Sequence, residues 1–413
     1  MEIRRSDLDV LRDLAERVAE IGNDPVQEKK AEMWTRHNDL DPVRPMVLIF
    51  PEGSWREMLT EEDLTTSPDC PLRGLEGDFR RRIYYWEKMR DDNVIEPVIA
   101  SGLAVESTGW GLEAQRTHPA ESTGADHFES VIDTEEDLEK IQLPQVTVDW
   151  EESRRRFEEL DELFGDILTV EMRGRTGVRC APMDLFAQWR GLDRIFMDLV
   201  DNPDLVHKGM SRIMDGTVGE IEQFEEQNAL SLNNRNHYCG SGGNGYTNEL
   251  PQGDFDGEHV RPCDMWGFAT AQIFSEVSPK MHEEFALRHE MRLLEKCGLN
   301  AYGCCEPLHN KLGIVKQIPN IRRISISPWA DVEKSAEELG DDYVYSWKPN
   351  PAVVASEQWD PDHARQVIRD FLEKTEGCVV EMVMKDTHTC RHEPERMWEW
   401  TRIAREEAER YAQ

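Results

Sequence analysis

Ser278-Pro279-Lys280-Met281-His282-Glu283-Glu284-Phe285 begins, and Gly298-Leu299-Asn300-Ala301-Tyr302-Gly303-Cys304-Cys305-Glu306 ends, the stretch on which the fold turns. Its first part has the grammar of a helix over 278–297. Ser278 can cap it, Pro279 takes the first helical position, and Gly298 follows its end. Met281, Phe285, Met291 and Leu294 are its apolar anchors, whereas His282 and His289 read as surface residues without a function. The helix feeds a short strand at Leu299-Asn300-Ala301-Tyr302, which runs directly into two thiols and a carboxylate. Reactive groups at the C-terminal end of a strand that follows a helix are what a (β/α)8 barrel presents.

The same alternation recurs on both sides of this stretch. Residues 1–40 read as helical, with Leu8, Leu11, Leu14, Val18 and Ile21 three and four apart, and are expected to cap the main domain, an oligomer contact being the alternative. Short apolar runs at Met46-Val47-Leu48-Ile49, Val94 to Ile99 and Ile167 to Met172 read as buried strands. So do Ala229 to Leu232, Ile321 to Ile326, Tyr343 to Tyr345 and Cys378 to Val383. Pro182 to Val200 reads as one helix, and a polar, Gly-rich loop spans Asn236 to Gly245. The expected architecture is therefore α/β, a (β/α)8 TIM barrel over 41–413 with an N-terminal helical extension over 1–40. No GxGxxG or Walker-type phosphate loop marks a nucleotide fold.

The chain has 413 residues with a formal net charge of −35. That balance argues against nucleic acid as a partner, because phosphate binding needs a concentrated positive surface. No apolar run is long enough to span a bilayer and the N-terminus lacks a signal-peptide core, so the expectation is a cytoplasmic protein without a membrane partner. Nine cysteines without framework spacing point to a reducing compartment. Arginine outnumbers lysine, 35 to 13, which suits either a salt-rich cytosol or an arginine-biased genome.

Two stretches hold most of the chemistry: Tyr302 to His309, and Asp386-Thr387-His388-Thr389-Cys390-Arg391-His392. Both carry thiol, imidazole and carboxylate groups, and Cys304 and Cys390 lie 86 positions apart, so two strand ends could converge on one metal. Thiolate with imidazole favours zinc; the other reading is two unrelated clusters with the thiols buried as small apolar groups.

The Ser278-Pro279 helix, followed by Gly298 and Cys304-Cys305-Glu306-Pro307, resembles the uroporphyrinogen decarboxylase superfamily, which includes zinc-dependent corrinoid methyltransferases. Gly191-Leu192-Asp193-Arg194 with Asp198 to Val206, and Ile324 to Asp331 before Tyr343 to Pro351, resemble further motifs of it. The likeness covers about residues 40–410 and implies a TIM barrel. The decarboxylase branch has an Arg-Gln-Ala-Gly-Arg motif after the first strand. Phe50-Pro51-Glu52-Gly53-Ser54-Trp55-Arg56-Glu57 keeps one arginine of it, too few cations for a polyanionic porphyrinogen.

The methyltransferase branch has His-x-Cys-Gly at this strand end and a later cysteine. Tyr302 stands in place of that histidine, Cys304 falls on the cysteine, and Cys390 lies close to the later one. The resemblance implies Cys304 and Cys390 as metal ligands, and Cys305, Glu306 or His388 could substitute for the missing histidine, so the expected metal set is Cys304, Cys305, His388 and Cys390. Glu306 is the expected acid/base beside the metal, its other reading being a solvated loop carboxylate. Asp264, Trp266, Gln272, Tyr302 and Trp347 are the candidate substrate contacts. A literal His237-Tyr238-Cys239-Gly240 occurs one β/α unit too early and could face the same pocket.

The implied function is a zinc-dependent methyltransferase moving a methyl group to or from a corrinoid cofactor or a thiol. Its partners would be a small-molecule methyl donor or acceptor and a corrinoid-carrying protein, since the chain has no Asp-x-His-x-x-Gly of its own. A homodimer is compatible with it. The alternatives are a metal-free decarboxylase or lyase, and a non-catalytic corrinoid- or ligand-binding barrel.

Overall fold

The computed structural model describes residues 3–117 and 127–412. Two helices, Arg5–Gly22 and Pro25–Asn38, open the chain. The second starts as its sequence dictates, with the Asp24 carboxylate accepting from Val26 N at 2.9 Å and Pro25 at the first helical position. The first buries Leu11, Ala15, Val18 and Ile21 against a satellite core that includes Phe79 and Phe164.

Thirteen strands follow among the described residues: β1 Met46–Ile49, β2 Val98–Gly102, β3 Ala104–Ser107, β4 Gln115–Thr117, β5 His127–Glu129, β6 Val146–Asp149 and β7 Thr169–Arg173, then β8 Val178–Cys180, β9 Trp266–Ala269, β10 Leu299–Tyr302, β11 Ile321–Ile326, β12 Val344–Trp347 and β13 Val379–Met384. Seven of them make one parallel sheet in the order β1-β13-β12-β11-β10-β9-β8. β2 and β7 form a separate parallel pair, and only four residues separate β7 from β8. The pairs β3–β6 and β4–β5 are antiparallel outgrowths.

This is a mixed α/β fold around a central parallel sheet, in the strand order of a barrel but without closure. Among the described residues no ladder joins β1 to β2. The reason lies in Asp91-Asp92. Val47 N donates to Asp92 Oδ2 at 2.8 Å, Ile49 N to Asp91 Oδ2 at 3.2 Å, and Asp92 N to Val47 O at 2.9 Å. Two carboxylates thus satisfy the β1 edge that a neighbouring strand would otherwise pair with. Arg44 neutralises Asp92 from 2.6 Å, and although burial works against it, that guanidinium keeps the Asp92 carboxyl below its usual range.

Three expectations about elements are corrected. The helix from Pro182 breaks at Gly191, whose φ of 86° ends Pro182–Arg190 and begins Leu192–Asp201. Leu230 forms an isolated bridge to Arg175 and no strand. His282 is fully buried, on the inner side of its helix. No helix of the described residues is long and apolar enough to cross a membrane.

The Gly-rich loop 236–245 folds against the inner face of the central sheet. A Cβ at Gly240 would stand 2.7 Å from the Ala301 Cβ, and one at Gly243 would stand 2.5 Å from Glu381 Oε2. Glycine is required where backbone passes this close to inward-facing side chains. Asn38 closes the same space from below, its amide donating to Asn244 O at 2.8 Å and Tyr246 O at 2.7 Å.

Candidate active site

Cys304 and Cys305 lie just beyond the C-terminal end of β10, after Gly303 at φ 88°. Their sulfurs are 3.6 Å apart, and Lys385, the first residue after β13, places its Nζ 3.7 Å from the Cys304 Sγ. The Cys304 thiol is lowered to about 7. Its contact with Cys305 is the largest cause; burial opposes it and the Lys385 ammonium helps. Cys305 is raised by the same contact.

Glu306 is completely buried, so the solvated-loop reading does not hold. Its carboxylate accepts from Thr270 Oγ1 at 2.8 Å, Ala271 N at 3.2 Å and Cys304 N at 2.9 Å. It therefore clamps the turn carrying the thiols onto the segment leaving β9. Ser325 Oγ adds a bond to Cys304 O at 3.2 Å, and Ser241 of the Gly-rich loop bonds both Gly303 O and Ser325.

The second stretch is placed differently. Cys390 is buried, and its thiol donates to Glu57 Oε2 at 3.2 Å. Burial and then that carboxylate push the thiol up to about 12. Burial would raise Glu57, but the bonds it accepts from Thr389, His392 N, and the Cys390 thiol and N bring it to about 2. His388 is exposed, its ring against Gly53 and its carbonyl bonded by Arg56 at 3.0 Å. Among the described residues no three His, Cys, Asp or Glu side chains are grouped to hold a metal ion.

The expected substrate contacts are scattered. Tyr302 turns outward, donating to Glu290 Oε2 at 2.9 Å, with His282 Nε2 2.7 Å from its hydroxyl. Burial pushes Glu290 up to about 8, so this buried pair is held as neutral acid and phenol near pH 7. Trp347 stacks on Phe371 of an outer helix, with centroids 3.8 Å apart. Asp264 precedes β9, bound by Arg261 at 2.9 Å, and Trp266 at the start of β9 donates to Gly245 O at 2.9 Å; both are at the N-terminal strand ends, opposite the thiols. Gln272 follows β9 at the correct end, its N–H bonded to Asp184 at 3.3 Å. Burial pushes Asp184 up to about 6.

His237 and Cys239 line one cavity, apart from the thiol pair. Cys239 is buried, bonds Asn233 O at 3.5 Å and is pushed by burial up to about 12, and the cavity that it lines with His237 lies beside β8 and β9. Sequence reasoning missed Lys385, although it adjoins the second ligand-rich stretch, and Tyr238, which packs edge-on against Phe50 at 5.0 Å within electrostatic reach of Cys304 and Lys385.

No protein-family model matches this chain, and no curated protein matches it. Among solved structures, a methyltransferase from Methanosarcina mazei is similar, with a TM-score of 0.47 and 11% identity, over 92% of this chain and 98% of that one.

Proposed function

We propose that this chain is a methyl-transfer enzyme whose reacting centre is the Cys304–Cys305 thiol pair. One observation carries the reading: a half-buried Cys304 thiol lowered to about 7 at a C-terminal strand end, beside Cys305 and the Lys385 ammonium. About half of that thiol is thiolate at neutral pH, where an ordinary cysteine is almost wholly protonated. A thiolate is the soft nucleophile that methyl transfer needs. Its lone pair forms the new S–C bond, and the donor's leaving group departs with the electrons of the bond that breaks. Lys385 holds the sulfur charged before the transfer, and Glu306 fixes the turn from which it attacks.

Zinc and a corrinoid carried by a partner protein belong to the proposal. Two thiolates on one tetrahedral zinc stand about 3.8 Å apart, near the 3.6 Å of Cys304 and Cys305. The other two implied ligands do not fit as placed: Cys390 is engaged by Glu57 and His388 is exposed. The chemistry is therefore written on the thiolate alone.

The test incubates purified chain with methylcobalamin as methyl donor, with and without added zinc, and reads the loss of the methyl group by corrinoid absorbance and its arrival on the Cys304 sulfur by peptide mass spectrometry. Transfer should fall at least about tenfold in Cys304→Ser. Equal rates in parent and variant, or none in either, would overturn the proposal. Metal analysis of the same preparations tests zinc: any zinc held by the parent should be lost from Cys304→Ser/Cys305→Ser.

A further inference from the structure

The inner faces of β7 and β8 carry arginines that the thiol chemistry does not use. Along β8, Val178 and Cys180 are buried in the main core and Arg179 between them is exposed. Strand alternation sends Arg179 to the opposite face, where it lines a cavity of about 550 Å³ with Arg175, Asn233, His237, Tyr238 and Phe268.

Two neighbouring cations are already paired. Arg173 pairs with Glu171 at 2.8 Å, and Arg175 pairs with Glu220 at 3.4 Å and lies over the Phe224 ring. Arg179 has no ion pair or side-chain hydrogen bond among the described residues. In a chain with 83 acidic and 48 basic side chains, a cavity guanidinium left free of every carboxylate is available for an outside one. A second observation is independent of it. Both ring nitrogens of His237, in the same cavity, are buried without a hydrogen-bond partner. Burial, and then Arg173, push this imidazole down to about 4, so it is neutral near pH 7. A buried polar ring of that kind calls for a ligand atom.

We infer that this cavity binds a small organic monocarboxylate with an apolar body. Arg179 takes the carboxylate through its guanidinium fork, the His237 ring, whose nitrogens are buried as placed, turns to bond the ligand, and Phe268 and Tyr238 supply the apolar wall. Of the two guanidinium groups lining the cavity, Arg175 is paired and Arg179 is not, which matches one negative charge and favours a carboxylate over a phosphate dianion. Tyr238, which lines this cavity, also lies within electrostatic reach of Cys304. This names the substrate class of the site proposed above and rests on that reading for its role in turnover; the binding itself does not.

Benzoate is the probe, with benzamide as its uncharged counterpart, titrated into the full chain and read by tryptophan fluorescence, since Trp266 also lines the cavity. Benzoate should bind saturably, with benzamide and the Arg179→Gln variant each at least about tenfold weaker. His237→Gln should weaken it severalfold, and Arg391→Gln, an exposed control, should not. Equal binding of benzoate and benzamide, parent-like affinity in Arg179→Gln, or no saturation in the low-millimolar range would overturn the inference. Should Arg179→Gln fail to fold, Arg179→Lys and the benzamide comparison decide it. Benzoate binding that persists in Cys304→Ser separates this site from the methyl-transfer reading, because either can then fail without the other.

Discussion

The β11–β13 part of the central sheet and the β2–β7–β8 flank are built on opposite principles. On the β11–β13 side the interior is sealed around charge. Glu381 is buried with Arg323 at 3.1 Å and His37 at 3.4 Å, and Lys348 reaches Ser346 Oγ at 2.5 Å, itself bonded to Glu381. On the β2–β7–β8 side the inner positions Ala100, Gly102 and Arg179 are exposed, and Glu171 and Arg173 are half-buried. The Gly-rich loop and Asn38 fill the first side and leave the second open. A sealed charge cluster pays for its desolvation only while every member is present, whereas an open pair is screened by water. The lesson is that charge on the closed side holds the fold together, and charge on the open side is free for ligands.

The largest effect should come from the closed side. Glu381→Gln leaves Arg323 buried with a neutral partner and should cost about 3–5 kcal/mol in urea unfolding. A loss below about 1 kcal/mol, the scale of an exposed pair, would break the contrast.

Acid should act on the same group. Burial raises Glu381, but Arg323, His37 and Lys348 outweigh it and bring the carboxyl from 4.5 to about 2. A depressed carboxyl contributes stability that is complete above its unfolded value and lost as pH falls through its folded one. Between about pH 4.5 and 2 the parent should therefore lose about 3 kcal/mol that Glu381→Gln does not. Parallel acid-unfolding curves for the two would contradict this.

At the mouth, Lys385→Met removes the ammonium beside Cys304 without opening the sealed cluster. Alkylation of Cys304 at pH 7 should slow about threefold, and its pH midpoint should move upward. The smallest effect belongs to the open side. Arg173→Gln should change stability by no more than about 0.5 kcal/mol, because its pair with Glu171 is solvated. A loss comparable to that of Glu381→Gln would erase the distinction.

Much of the scaffold was legible in the sequence, because it follows local rules. The Ser278 cap, the strand at Leu299–Tyr302 and the runs that became β11 and β13 stand where periodicity puts them. What failed was sidedness and depth. Tyr302 and His282 turned toward each other behind the sheet, since a four-residue strand buried on both faces has no polar side to orient it. Asp264 and Trp266 fell at the base of β9 because one turn of chain decides which strand end a residue joins. The inward fold of loop 236–245 was hidden for a different reason: its glycines answer to Ala301 and Glu381, residues far along the chain. Arg179 did leave a signal, one charge between two core positions of a short strand.

The central claim is that Cys304 is a thiolate near neutral pH. The direct measurement is the rate of iodoacetamide alkylation at each of the nine cysteines against pH, resolved by peptide mass spectrometry. Cys304 should react first, with a midpoint near pH 7. A midpoint near 9, or a rate at Cys304 no greater than at the half-buried Cys263 and Cys378, would contradict the account.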